Sequence, residues 1–203
     1  MAFPLKLTSI LTGLTTSQLR RLRQQGTVVP EVNPTRPPLY SFRDLVVLRA
    51  IAKLRAEASA QKISTAFGNL DLVDLTEHPS NYRFGTDGST IYVEDDEGDV
   101  LDLVKSPGQR DVFTFEEITQ AFTNFRGEKV GSFTHPHRHV EVNYRRLGGW
   151  PTIEGTRIPF DTVASIVDGR TITTEDVEHY YPGVTPAVAS DVVAFQDRIE
   201  VVA

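Results

Sequence analysis

The 203-residue chain contains no cysteine. Disulfide cross-links and thiolate metal ligands are therefore excluded, and the composition fits a reducing compartment. No stretch approaches the run of about 18 apolar residues that a membrane-spanning helix needs. The opening residues, MAFPLKLTSILTG, carry one positive charge, at Lys6, and their apolar run is broken by Thr8, Ser9 and Thr12. A secretory leader is not expected, and the chain reads as cytoplasmic. Recognisable catalytic frames are also missing. There is no Ser/His/Asp set and no framed pair of glutamates, and neither Gly148-Gly149 nor Gly155-Thr156 has phosphate-loop companions. Asp95-Asp96-Glu97-Gly98 lacks the twelve-residue pattern of a calcium loop and reads as a solvated hairpin turn. His135, His137 and His139 would face one side of an extended stretch, and imidazoles suit zinc or nickel. Pro136 interrupts regular strand geometry and no fourth ligand is evident, so a polar loop is the plainer reading. No enzyme activity, cofactor or metal is expected.

What is present is charge, unevenly placed. The net charge of −6 hides three different segments. Residues 1–67 hold ten Lys/Arg against three Asp/Glu, a net of +7. Residues 68–130 hold five against fourteen, a net of −9, and residues 131–203 hold six against ten, a net of −4. A basic head can meet phosphates, while the acidic remainder suits a different, basic partner.

The pattern of apolar residues and caps gives a mainly α fold with small β elements. Residues 6–14 read as a helix with Leu7, Ile10, Leu11 and Leu14 on one face, closed by Gly13. Thr15 caps a second helix over 16–25 that buries Leu19 and Leu22. Val28-Val29 and Leu39-Tyr40 read as the strands of a small wing with Arg36 near its tip. Ser41 caps a long helix over 42–57, and Ser59 caps another over 60–67. This is the order of a winged helix-turn-helix. Residues 90–93 and 100–104 predict a hairpin around the acidic turn, residues 116–125 a helix, and residues 139–144 a strand. A tight turn at Glu154-Gly155 precedes three short helices, which begin at Phe160, after the cap spacing of Thr173 and Asp176, and at Thr185-Pro186. They predict a small C-terminal helical bundle.

An α-helix fits the major groove, and short polar and Arg side chains reach base edges there, although most Arg contacts go to phosphates. Thr16, Ser17, Gln18 and Arg20 are the base-edge candidates. Arg21, Arg23, Arg36 and Arg43 are the phosphate candidates. The plain alternative is that these arginines only solvate a helix face. The coincidence of turn, wing and local charge argues for DNA.

Residues 7–70 resemble the MerR-type winged helix domain. The resemblance lies in Leu19-Arg20 of the second helix, Gly26 and Pro30 before the wing, and Tyr40-Ser41-Phe42-Arg43-Asp44-Leu45 with Leu48 and Leu54-Arg55 in the third helix. It implies that Thr16, Gln18 and Arg20 lie at the DNA and that the wing reaches the flanking backbone. Leu22 stands where that family usually has an aromatic residue, and no long coiled-coil helix follows Leu70. A homodimer, expected because one short head reads few base pairs, must then form through residues 71–203. Farther on, Gly149-Trp150-Pro151-Thr152-Ile153, Gly155-Thr156-Arg157-Ile158-Pro159, Gly169, Tyr181-Pro182 and Thr185 resemble the DUF433 family, whose members are commonly paired with PIN-like RNase toxins. Together the two resemble the VapB45-like antitoxins.

That resemblance implies a DNA-binding head over 1–70 and a toxin-binding helical domain over 139–203; between them, the charge and strand pattern read as an acidic β-containing connector over 71–138 available for dimerisation. The implied role is an antitoxin that autorepresses its operon and neutralises a PIN-like ribonuclease. Trp150, Arg157, Arg145 and Arg146 are the contact candidates, an Arg being able to enter the nuclease's carboxylate cluster in place of its metal. Arg157 could equally form a structural salt bridge inside its own turn. The alternatives are a one-component MerR-like regulator whose C-terminal region binds a small ligand, and an adaptor whose head has lost DNA affinity.

Overall fold

A computed structural model describes residues 1–70, 77–86, 90–94, 100–104 and 115–202. Strand β1 (Phe3–Pro4) runs directly into helix α1 (Leu5–Thr12), which buries Leu7 and Leu11. Gly13 ends α1 in the left-handed region, at φ 79°, and a methyl group there would run into Val130. Helix α2 (Thr16–Gln24) starts on a reciprocal cap. Thr15 Oγ1 accepts from the Gln18 N–H at 3.2 Å, while Gln18 Oε1 accepts from the Thr15 N–H at 2.7 Å.

The wing differs from the sequence reading. Val28-Val29 is not a strand, because the N–H groups of Thr27 and Val28 both turn back to the Leu22 carbonyl and Pro30 has no N–H to offer. Strand β2 (Leu39–Tyr40) pairs instead with β1, Phe3 opposite Tyr40. Asn33 and Leu39 exchange both backbone hydrogen bonds, at 3.0 and 2.9 Å, which closes the hairpin that carries Arg36. Helix α3 (Phe42–Glu57) has the expected bounds, and its cap from Ser41 is made reciprocal by Asp44. Helix α4 (Ala60–Gly68) follows on the Ser59 cap.

The central strands form one antiparallel sheet in the order β3 (Arg83–Thr86), β4 (Ile91–Glu94), β5 (Val100–Asp102). β4 and β5 are the expected hairpin, and β3 is an addition; the acidic turn at 95–98 lies outside the described residues. Ile91, Tyr92 and Val93 are all buried, and Phe84 of β3 stacks on Phe67 of α4 at 4.7 Å. The helix expected over 116–125 is cut short. Helix α5 (Phe115–Thr119) stops, and β6 (Phe122–Thr123) pairs with β7 (Lys129–Val130). The reason is local: Asn124 Oδ1 accepts from the N–H groups of Arg126 and Glu128, and Gly127 takes φ 79°, a turn that a helix cannot contain.

Strand β8 (Val140–Glu141) pairs with β9 (Thr152–Ile153). It is shorter than the strand expected over 139–144, because Asn143 Oδ1 turns the chain by accepting from the Arg145 N–H. The three tail helices are α6 (Phe160–Ile166), α7 (Val177–Tyr180) and α8 (Pro186–Glu200), the last capped by Thr185. The result is the expected class of fold, a helical winged head, small antiparallel strand pairs and C-terminal helices. No helix among the described residues is long and apolar enough to cross a membrane.

Among the described residues, one hydrophobic core cluster runs from Phe3 to Ile199. Trp150 lies 5.5 Å from Phe3 and 6.4 Å from Phe160, ring to ring, and Phe42 lies 5.8 Å from Phe133. Gly149 fits at φ 83° with no room for a side chain, since a methyl group would collide with the Phe42 ring. A buried cation crosses the same seam. Arg49 of α3 is 1% exposed. It donates to the carbonyls of Ile118 at 3.1 Å, Leu11 at 3.2 Å, Gln120 at 2.8 Å and Gly131 at 2.5 Å. Its guanidinium also lies over the Phe122 ring at 4.8 Å. Burial pushes its pKa down to about 10, so it stays charged at neutral pH.

Candidate DNA-binding surface and C-terminal partner site

At 100° per residue, Ser17 and Gln24 mark the outward line of α2, with Arg20 on the wing side of it and Arg21 on the opposite side. Ser17, Arg20, Arg21 and Gln24 are all exposed. Thr16 is buried, 4% exposed, and its Oγ1 accepts from Arg20 Nη1 at 3.5 Å. It steadies Arg20 from below rather than offering its own hydroxyl outward. The Gln18 amide oxygen is occupied by the helix cap, which removes it from the outward set.

Arg23 turns toward the wing and donates to the carbonyls of Thr35 at 2.8 Å and Pro34 at 3.4 Å. Helix and wing are thereby locked at a fixed separation, with Arg36 exposed beside the lock. Arg23, Val29, Pro34, Thr35 and Arg36 line an open hollow between them. Arg43 is ion-paired with Glu31 at 2.5 Å, which holds the Glu31 carboxyl below its ordinary pKa and raises that of Arg43. Its charge is therefore largely answered within the protein. Arg20, Arg21 and Arg36 form no ion pair with any described carboxylate, so their charge faces outward.

Behind Arg43, Asp44 is fully buried and uses both oxygens. Oδ2 accepts from the N–H groups of Glu31 and Ser41, and Oδ1 meets His78 Nε2 at 3.3 Å. Glu31, Asp44 and His78 come close enough together to resemble a metal-ligand set. Their hydrogen bonds account for the grouping as a joint between α3, the wing and the segment carrying His78.

In the C-terminal part, the four contact candidates separate. Trp150 is partly buried, packs on Phe3 and Phe160, and donates from Nε1 to Asp161 at 3.2 Å. Arg146 pairs with Glu141 at 2.6 Å, and Glu141 also accepts from the Gly155 N–H at 3.2 Å, which pins the turn at 154–157 to β8. These contacts hold the Glu141 carboxyl below its ordinary pKa against the opposing effect of burial. The salt bridge of this turn thus belongs to Arg146. Arg157, on the same turn, is exposed and has no ion-pair partner among the described residues. Arg145 is exposed as well and lies against Tyr144, with Nε donating to the phenol oxygen at 2.8 Å.

The three histidines do not converge. His135 faces Glu154 at 3.8 Å, the His137 ring lies 5.8 Å from that of Phe195, and His139 pairs with Asp191 of α8 at 2.7 Å. Two arginines that were not among the candidate contact residues, Arg55 of α3 and Arg126 of the β6–β7 turn, lie on Phe125 and line a cavity together with Arg21. The turn signature Asn124-Phe125-Arg126-Gly127 is the signal that would have separated Arg126 from a helix.

Residues 7–59 match the family described as MerR HTH family regulatory protein, and residues 140–195 match the family described as Protein of unknown function (DUF433). No curated protein and no solved structure matches the chain. The chain therefore joins a MerR-type helix-turn-helix, a DNA-binding domain, to a DUF433 domain. One matched domain is regulatory and the other is of unknown function.

Proposed function

We propose that the chain is a one-component transcription regulator that grips operator DNA as a homodimer, with α2 in the major groove and the wing on the flanking backbone. The observation that carries this reading is the aligned set Ser17, Arg20, Gln24 and Arg36, exposed, unanswered by described carboxylates, and held in register by the bond from Arg23 to Thr35. Arg20 reads a base edge, Arg36 meets a phosphate, and the remainder of the chain supplies the dimer contact and the regulatory input. A C-terminal input is available at the open groove of about 430 Å3 between α6 and α8, lined by Asp161, Thr162, Ser165, Gln196 and Glu200.

The test is binding of the full-length protein to its own promoter fragment and to random duplex DNA. Arg20→Ala should cost about 1–3 kcal/mol on the promoter, the size of one good base contact, and far less on random DNA. Equal losses on both would make Arg20 a backbone contact, and no preference for the promoter by the wild-type protein would end the reading.

A second reading is favoured by Arg157. A cation projecting from a turn clamped by Arg146 and Glu141 is suited to a carboxylate cluster of the kind that holds magnesium in a PIN-like ribonuclease. In that reading the chain is an antitoxin that neutralises such a nuclease by direct binding and represses its own operon. Full-length protein, coexpressed with a PIN-like ribonuclease from the same genome, should copurify with it and suppress RNA cleavage. Undiminished cleavage at molar excess of the wild-type chain would remove this reading and leave the first intact.

A further inference from the structure

The side of α2 opposite the wing closes over a cavity of about 210 Å3 between α2, α3, α4 and the β6–β7 turn. Its inner wall is apolar, with Leu22, Ile51 and Ile63. Its mouth is cationic, with Arg21 from α2, Arg55 from α3 and Arg126 from the β6–β7 turn. Phe125 stands among them, 44% exposed, with the Arg55 guanidinium 4.6 Å and that of Arg126 5.4 Å from its ring centroid.

The guanidiniums of Arg55 and Arg126 share one ring, Arg21 lines the same cavity and repels Arg55, and none of the three forms an ion pair with a described carboxylate. Arg55 Nε is buried and has no hydrogen-bond partner. A buried donor left unsatisfied is costly, and it marks a place where an acceptor is missing. Burial lowers the pKa of Arg55, and the nearby Arg21 and Arg126 lower it further, which is the electrostatic sign of an uncompensated cluster. Guanidiniums lying on an aromatic ring keep their N–H edges available, and those edges match the oxygens of a carboxylate or phosphate.

We infer that this cavity binds a small organic anion, with its carboxylate or phosphate held by Arg55, Arg126 and Arg21 and its apolar part on Leu22, Ile51, Ile63 and Phe125. At about 210 Å3 the space is below the roughly 300–1,000 Å3 of pockets for drug-sized ligands, so the occupant is a small metabolite-sized molecule. Because α2 forms one wall through Gln18, Arg21, Leu22 and Gln25, occupancy ties the recognition helix to α3, α4 and the β6–β7 turn. The site itself does not depend on DNA binding. Its regulatory consequence rests on the regulator reading above.

Phenyl phosphate is a suitable probe, with phenol as its uncharged counterpart and inorganic phosphate as the anion without an apolar part. Calorimetry on the full-length protein without DNA should show saturable binding of one phenyl phosphate per chain, at least tenfold tighter than inorganic phosphate, and none of phenol. Arg126→Ala and Phe125→Ala change exposed side chains and should leave the unliganded melting temperature in place while weakening phenyl phosphate at least tenfold. Arg55→Gln should do the same or more. No saturable binding at millimolar probe, or binding unchanged in Arg55→Gln and Arg126→Ala, would overturn the site. Promoter affinity measured with and without phenyl phosphate is read separately. A change in wild-type protein that is absent in Arg126→Ala supports the regulatory link. If Arg126→Ala instead weakens DNA binding and phenyl phosphate does not bind, the arginines serve the DNA backbone and the small-anion assignment is wrong.

Discussion

Replacing Arg49 with Met should destabilise the protein by about 2–6 kcal/mol, because four carbonyls from three separate parts of the chain lose one shared donor. The bonds to Ile118 and Leu11 are fully buried, so those two oxygens would be stranded, at about 1–3 kcal/mol each. The bonds to Gln120 and Gly131 lie nearer the surface, where water can replace them, and each costs about 1.5 kcal/mol. Against this stands the relief of a desolvated charge. A pKa lowered from 12.5 to about 10 corresponds to about 3 kcal/mol, which the apolar Met recovers. At about 2–4 °C per kcal/mol for a chain of this size, the melting temperature should fall by roughly 5–20 °C. Arg49→Lys should fall between, since one ammonium cannot span four acceptors set out for a fork. The assay is thermal and urea unfolding of the full-length protein followed by far-ultraviolet dichroism, and Trp150 fluorescence adds a report on the seam between the winged head and the tail. A loss below 1 kcal/mol for Arg49→Met would refute the reasoning, since the four carbonyls would then have other partners in solution.

Gly149→Ala puts a methyl group into the Phe42 ring at a left-handed backbone position and should cost at least about 2 kcal/mol, visible as a lowered urea midpoint. Arg36→Ala should weaken promoter and random DNA alike and reduce the slope of log affinity against log salt by about 1, measured between low and physiological salt. Arg146→Ala frees the turn at 154–157 and should lower stability, whereas Arg157→Ala should leave the unfolding curve unchanged; equal effects in the two variants would mean that Arg157 also has an internal role. Asp168 accepts from the N–H groups of Ile172, Arg170 and Thr171, which holds its carboxyl down at about 2 from an ordinary 3.8. A depressed acid contributes stability that is fully present above the unfolded value and lost as the pH falls through the folded one. Carboxyl carbon shifts should therefore show Asp168 ionised throughout the mildly acidic range, and a midpoint near 4 would show that the loop is open in solution.

The helix starts were legible because each is written in a few adjacent residues. Thr15, Ser41, Ser59 and Thr185 accept from backbone N–H groups three residues on, an interaction that needs no distant partner. The apolar period of α1 and α3 and the turn glycines were readable for the same reason, and the order helix, turn, helix, wing follows from them. The basic head was a matter of counting. What the sequence could not settle is what each polar group on the recognition helix meets. Thr16 and Ser17 are neighbours of one chemical kind, yet one is buried under Arg20 and the other is exposed. Arg146 and Arg157 are alike on paper, and only the approach of Glu141 makes one a clamp and leaves the other free. Strand β2 finds its partner in β1, at the far end of the helix-turn-helix, rather than in Val28-Val29 next door, because both Thr27 and Val28 spend their N–H groups on the end of α2. Local chemistry fixed the elements of this protein. Its seams were decided by contacts between residues tens of positions apart, such as Arg49 with Gly131, Phe42 with Gly149, and Arg21 with Arg55 and Arg126, whose energies depend on distances that only the folded chain sets.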